Sequence, residues 1–132
     1  LKYLKKLKRD NYEKLFHFKL FSNISDKKFS DDLANYSLIN FTSNNQLINK
    51  YTANWDLERL AKVDLVIINL ALTELKNFKE IPVKVSLNEY IEISKDYSTE
   101  KSSFFINGIL DKIVKDLINN KSLIKEGRGL RE

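Results

Sequence analysis

The chain has 132 residues, a formal net charge of +5 at pH 7, no cysteine and one histidine, His17. This length fits a single domain that buries roughly two thirds of its unfolded surface without a disulfide or metal staple. The composition excludes thiolate chemistry and a histidine-rich metal site, and no apolar run approaches the ~18 residues of a membrane span.

Glycine and proline are rare, with three glycines and one proline in the chain. An all-β fold would need far more turn-forming residues, so the sequence predicts an all-α fold. The absence of cysteine and of a signal-peptide pattern suits the reducing cytoplasm, which is the expected location.

The first predicted helix covers about residues 3–21 and carries the whole net charge. Residues 1–20 hold seven basic and two acidic side chains, whereas the remainder is balanced. Four basic residues share one helical face: Lys2, Lys5, Lys6 and Arg9. Phe16 follows one heptad after Arg9, and basic residues with an aromatic ring are typical of single-stranded RNA binding. A solvated basic face, an anionic membrane surface and a core position for Phe16 are the alternatives that remain open.

Two shorter helices are predicted next, ending near Leu38 and at Tyr51. Four residues are candidate N-caps, because their side chains accept hydrogen bonds from free backbone N–H groups. They are Asp26 or Ser30 for the first helix and Asn44 or Asn45 for the second.

Two longer helices follow. One is predicted from an N-cap at Asp56 to about Lys76, and its inward-facing residues at helical spacing are Leu60, Val63, Ile67, Leu70, Ala71 and Glu74. Pro82 suits the first turn of the next helix, which runs to about Lys95, because a proline lacks the N–H that has no intrahelical partner there.

The last long helix is predicted to begin at Ser98 or Thr99. Its inward-facing residues are Ile106, Ile109, Leu110, Ile113 and Leu117. Asn107-Gly108 would be a hairpin signal, but the flanking apolar period is helical. We therefore expect Gly108 inside the helix, where another helix approaches closely. The polar tail over residues 119–132 is expected to be flexible.

No catalytic constellation is visible in the sequence. The acidic residues on or near apolar faces are Asp64, Glu74, Glu89 and Asp111. None is placed with a nucleophile, so we interpret them as helix caps or as partners of Arg59 and nearby lysines. A glycine-rich phosphate loop is also absent. The sequence predicts no enzyme activity, no cofactor and no metal site.

A more specific pattern lies between Asn54 and Leu117. It consists of Trp55 before Leu57-Glu58-Arg59-Leu60, then Ile81-Pro82, then Asn88-Glu89, then Phe105-Ile106-Asn107-Gly108-Ile109-Leu110-Asp111. In order and spacing this pattern resembles the C-terminal half of the NusB family of transcription antitermination factors.

The resemblance implies one compact NusB-like domain over residues 1–132, with about six or seven helices. It implies binding of the single-stranded boxA element of ribosomal RNA leader transcripts. NusE, a small-subunit ribosomal protein, and the RNA polymerase antitermination complex are the implied partners, without catalysis or cofactor. Some family members form homodimers, so the oligomeric state stays open.

The resemblance also implies site residues. The family's Arg-rich run and Leu-aromatic pair fall on Lys5, Lys6, Lys8, Arg9 and Leu15-Phe16, and Lys2 extends this face. The phenylalanine of the family's Phe-Val-Asn-Gly falls on Phe105, and Lys101 adds charge at the start of that helix. Thr73, where the family often has tyrosine, and Glu74 are the expected partner-binding residues, on an exposed face near Thr73.

Two alternatives remain. The same helical domain forms the N-terminal part of a ribosomal RNA cytosine methyltransferase, which would require a Rossmann-like domain with a glycine-rich loop that this sequence does not contain. The other is a NusB-like protein-interaction domain without specific RNA affinity, because fold alone does not fix function. The lysine-rich run and the poorly matching segment over residues 22–45 keep that alternative open.

Overall fold

The structure is a computed structural model that describes residues 24–53 and 61–130. Within them the chain forms four α-helices and one short 3-10 helix: α1 (Ile24–Tyr51), α2 (Lys62–Asn77), α3 (Val83–Tyr97), α4 (Glu100–Asn119) and the 3-10 helix Gly127–Leu130. The described part has no strand, so the all-α prediction is confirmed for it. The chain divides into two units after Asp31, and the contacts described below lie in the second unit. A single domain over residues 1–132 stays a prediction.

The prediction of six or seven helices was wrong for the described residues, because the two short helices predicted before Tyr51 are one continuous helix. Residues 39–43 contain neither glycine nor proline. The Asn40 and Ser43 side chains donate to carbonyls of the same helix, at 2.8 and 3.0 Å. Asn44 is no cap but a fully buried residue in the middle of α1. The helix predicted at residues 3–21 and the Asp56 cap lie outside the described residues.

The starts of α3 and α4 agree with the sequence. Pro82 is the N-cap of α3, one residue before the predicted position, and its carbonyl accepts from the Ser86 N–H at 3.2 Å. Thr99 caps α4, since its Oγ1 accepts from the Ser102 N–H at 3.1 Å. Thr99 thereby satisfies an N–H that the helix terminus leaves without an intrahelical partner, whereas Pro82 forms no side-chain cap hydrogen bond.

The core lies between α2, α3 and α4. All five inward-facing residues predicted for α4 are buried. On α2 the prediction is partly wrong, because Val63 is 45% exposed and Asp64 points inward instead. The Ser98 Oγ donates to the buried Asp64 Oδ1 at 2.5 Å. This hydrogen bond replaces one that the carboxylate loses to water on burial. Further along α2, the buried face includes Ile67 and Ala71, as predicted.

A buried carboxylate joins α2 to α3. Glu74 is 7% exposed, and its two oxygens accept from the Ser86 Oγ at 2.8 Å and the Tyr90 hydroxyl at 2.7 Å. Burial, followed by the hydrogen bond to Glu74 and its charge, raises the pKa of Tyr90 well above its ordinary value of 10.0. Hydrogen bonds to charged groups are among the stronger ones in proteins, so this pair of contacts fixes how α3 lies on α2.

After α4 the chain returns to the end of α2. The Glu126 N–H donates to the Lys79 carbonyl at 3.1 Å, and the Lys125 Nζ donates to the Phe78 carbonyl at 3.0 Å. Burial lowers the pKa of Lys125, against the opposing charges of nearby glutamates. These contacts hold the middle of the tail in this structure, while the flexibility expected for residues 119–132 stays a prediction.

Two glycines differ in the space around them. A Cβ at Gly108 would meet no described atom within 4 Å, so no described element makes the close approach expected there. A Cβ at Gly129 would lie 2.1 Å from the Lys79 carbonyl oxygen. The position that needs glycine for close packing is therefore Gly129.

Alanine substitutions at these glycines should have opposite effects. Gly129→Ala should lower the free energy of unfolding by about 1–3 kcal/mol, because the backbone must move to admit a methyl group. Gly108→Ala should raise it by up to about 1 kcal/mol, because alanine is the better helix former. Urea unfolding followed by circular dichroism measures both, and equal effects of the two substitutions would contradict the packing described for Gly129.

Tyr90→Phe should lower the free energy of unfolding by about 1–3 kcal/mol at neutral pH, because the buried Glu74 loses a donor. The contribution of Tyr90 is fully present below pH 10.0 and is lost as pH rises above it, since the unfolded tyrosine releases its proton first. The wild type should therefore lose more stability than Tyr90→Phe between about pH 9 and pH 11. Tyr97→Phe, at an exposed position of α3, is the control and should follow the wild type. Parallel pH curves for the wild type and Tyr90→Phe would disprove this role.

Candidate nucleic-acid interface

The outer face of α4 carries two predicted RNA-binding residues. Lys101 and Phe105 are one helical turn apart, and Gly108 and Lys112 continue the same face. Phe105 is partly buried against the core, whereas the neighbouring Phe104 is 72% exposed. The two rings diverge because adjacent helical residues point about 100° apart. Phe105 therefore contacts the core while Phe104 points to the surface.

An aromatic pocket of about 170 Å³ lies on this face. We define it by the residues that line it: Tyr51, Phe104, Phe105, Gly108, Ile109 and Lys112. Gly108 contributes only backbone to the wall, which leaves the space beside the three rings open. Aromatic rings at an accessible surface provide faces on which nucleobases stack.

Tyr51 reaches the aromatic pocket from the last turn of α1. Its hydroxyl donates to the Asp116 Oδ2 at 2.6 Å. This hydrogen bond raises the pKa of Tyr51, with smaller contributions from burial and from the Asp116 charge. The contact holds the tyrosine ring beside α4, where it forms one side of the pocket.

Two exposed lysines lie along this face. Lys101 and Lys112 form no ion pair within the described part of the chain. Lys115, by contrast, lies 2.7 Å from the Asp111 carboxylate. An unpaired lysine can attract a phosphate group without first losing a protein partner. The charge and the rings together suit a single-stranded nucleic acid.

A second cavity of about 750 Å³ lies between α3 and α4. This α3–α4 cleft is lined by Asn88, Ile91, Lys95, Glu100, Ser103, Phe104 and Asn107. Phe104 lines both cavities, so the exposed ring separates the cleft from the aromatic pocket. The cleft contains polar groups of several types, whereas the aromatic pocket contains rings and one cation.

The remaining predicted RNA-binding residues lie outside the described residues: Lys2, Lys5, Lys6, Lys8, Arg9 and Phe16. Their role stays a prediction.

The expected exposed face near Thr73 is not found. Thr73 is fully buried, and its Oγ1 donates to the Asn69 carbonyl at 2.8 Å and accepts from the Asn44 Nδ2 at 3.1 Å. Glu74 is buried by α3, as described above. The expectation of exposure was wrong because α1 and α3 cover this part of α2, while partner binding itself stays a prediction.

Sequence reasoning missed several residues of this candidate interface. Lys112 could have been found from helical spacing, since it lies seven residues after Phe105. Phe104, which lies at the surface, was not assigned to RNA. Tyr51 gave no signal, because only the packing of α1 brings it beside α4.

Other kinds of site are not found in the described ranges. Within 24–53 and 61–130, no group of three or more metal-ligating side chains is close enough to hold an ion. None of the helices described here is both long and apolar enough to cross a membrane.

Comparison with known proteins gives one consistent result. Residues 2–115 match the NusB family. The transcription antitermination protein NusB of Salinibacter ruber is 41% identical over 106 residues, covering 80% of this chain and 66% of that protein. The protein of the same name from Chloroherpeton thalassium is 39% identical over 109 residues, covering 83% and 52%.

A solved structure agrees with these relatives. The structure of T. maritima NusB matches with a TM-score of 0.67 and 38% identity, covering 71% of this chain and 66% of that one. The matched part therefore spans between about half and two thirds of these three proteins. The curated relatives are named transcription antitermination proteins. The resemblance inferred from residues 54–117 is confirmed, and the chain belongs to the NusB family.

Proposed function

We propose that this chain is a transcription antitermination factor that binds boxA-type single-stranded RNA of ribosomal leader transcripts together with NusE. The observation that carries the proposal is the aromatic pocket on α4, flanked by unpaired Lys101 and Lys112, in a chain of the NusB family. The assembly acts on RNA polymerase as part of an antitermination complex in the cytoplasm. Homodimerisation is a second assembly that the family allows.

In the proposed complex, bases stack on the rings of the aromatic pocket while the lysines contact phosphates. A stacked base contributes about 1–3 kcal/mol by alanine substitution. Lys101 and Lys112 are eleven residues apart, or roughly 16 Å along the helix axis. They therefore contact phosphates of different nucleotides and hold the strand along α4.

The basic residues near the start of the chain contribute the larger part of the charge in this proposal. They are Lys2, Lys5, Lys6, Lys8 and Arg9, with Phe16 as a further ring. Several phosphate contacts make binding steeply salt-dependent.

NusE binding near Thr73 and Glu74 belongs to the same proposal. Because both side chains are buried, they act indirectly, by holding α1 and α3 against α2, and the partner contacts neighbouring surface residues. Substitutions can distinguish a supporting role from direct contact, because substituting the exposed neighbouring residues does not lower the stability of the fold.

The proposal predicts specific and cooperative RNA binding. A short boxA RNA should bind more tightly than a scrambled RNA, NusE should increase that preference, and affinity should fall as salt is raised. Fluorescence titration at two salt concentrations, with and without NusE, measures all three effects. Equal, weak binding of both RNAs in every condition would contradict the proposal and favour the protein-interaction alternative.

Removing the two unpaired lysines should weaken RNA binding without unfolding the protein. For Lys101→Ala with Lys112→Ala, the slope of log affinity against log salt should become less steep by about 0.7 for each lost phosphate contact. Lys115→Ala is the matched control, because that lysine lies on the same helix but is paired with Asp111. If the double variant and the control bind boxA RNA alike, α4 does not contact the phosphates.

A further inference from the structure

The α3–α4 cleft is lined by polar groups that the aromatic pocket lacks. We propose that the cleft binds one nucleobase of the RNA that stacks in the aromatic pocket. It selects bases that carry an exocyclic amino group, namely adenine, cytosine and guanine, over uracil. This inference rests on the proposed RNA-binding function and adds a base preference to it.

The position and size of the cleft favour a base as its occupant. Its volume of about 750 Å³ lies within the range of small-molecule sites, roughly 300–1,000 Å³. One wall is Phe104, whose other side faces the aromatic pocket. A strand with one base stacked in the aromatic pocket can therefore place a neighbouring base in the cleft.

Two asparagines supply unused hydrogen-bonding groups. Asn88 of α3 and Asn107 of α4 both line the cleft, and neither side-chain amide has a hydrogen bond within the described residues. Among the other helical asparagines, Asn40 and Asn77 donate to carbonyls of their own helices, both at 2.8 Å, whereas the exposed Asn119 is free like Asn88 and Asn107. Each free amide offers donors and an acceptor, which match the mixed edge of a nucleobase.

The charged groups distinguish a base from a phosphate. Lys95 lies 2.7 Å from the Glu92 carboxylate, so the lysine of the cleft already has an anionic partner. Glu100 adds an exposed carboxylate, which repels a phosphate. A carboxylate accepts hydrogen bonds from the exocyclic amino group of adenine, cytosine or guanine, and uracil has no such group. The cleft therefore suits an amino-bearing base.

Titration with single nucleotides tests the preference directly. The ¹⁵N-labelled chain is titrated with AMP, CMP, GMP and UMP, and the side-chain amide signals of Asn88 and Asn107 are followed by NMR. We expect the first three nucleotides to shift these signals several-fold more than UMP, while the Asn119 signal at the far end of α4 stays in place. Equal shifts with all four nucleotides, or none, would overturn the inference.

Substitutions separate base selection from RNA binding in general. Asn88→Ala with Asn107→Ala should reduce boxA affinity several-fold, and Asn119→Ala is the control. Glu100→Gln should bring the UMP response closer to the others, because the glutamine amide also donates. These exposed helix positions tolerate alanine or glutamine. If the variants keep both the boxA affinity and the nucleotide preference of the wild type, base binding in the cleft is refuted and the proposed function is not. If the wild type shows no preference for boxA over scrambled RNA, the proposed function is refuted, and the nucleotide titration then reports on the cleft independently.

Discussion

The hydrogen bonds of buried Glu74 determine where the surface groups of α3 lie. Glu74 binds Ser86 and Tyr90 on the inner face of α3. Holding that face against α2 turns Asn88 and Ile91 toward α4, where they line the cleft. A buried carboxylate without donors would be costly, so the inner face of α3 has little freedom to rotate. The polar core contact thus sets the shape of a site on the outside.

The fourth helix combines packing and recognition on different faces. Its inner residues, including Ile106 and Leu110, are fully buried and keep the helix fixed. Its outer residues line both cavities. Rings and amides on a rigid helix need little reordering when a ligand binds, which lowers the entropic cost of binding. Phe104, between the two cavities, allows adjacent bases to be bound in different ways, one by stacking and one by its edge.

The sequence predicted what depends on local chemistry. Pro82 and Thr99 mark the starts of α3 and α4 because caps act within a few residues of the chain. The inner face of α4 follows from its apolar period. Lys101 and Phe105, by contrast, were found only through the family pattern. Their contact with RNA stays a prediction.

The features that the sequence did not predict depend on contacts between distant residues. Asn44 was predicted as a cap, but in α1 its side chain binds Thr73 and accepts from the Lys76 Nζ at 2.9 Å. Such tertiary partners override a local preference for helix ends. Gly108 and Gly129 were distinguishable only after the position of the Lys79 carbonyl was known.

The central claim is that the outer face of α4 contacts boxA RNA. The most direct measurement is an NMR map of backbone and side-chain signals of the labelled chain as boxA RNA is added. The account predicts that the largest shifts among the described residues occur at Tyr51 and between Lys101 and Lys112, with small shifts at the far end of α4. Saturable RNA binding that leaves these signals unchanged would contradict it.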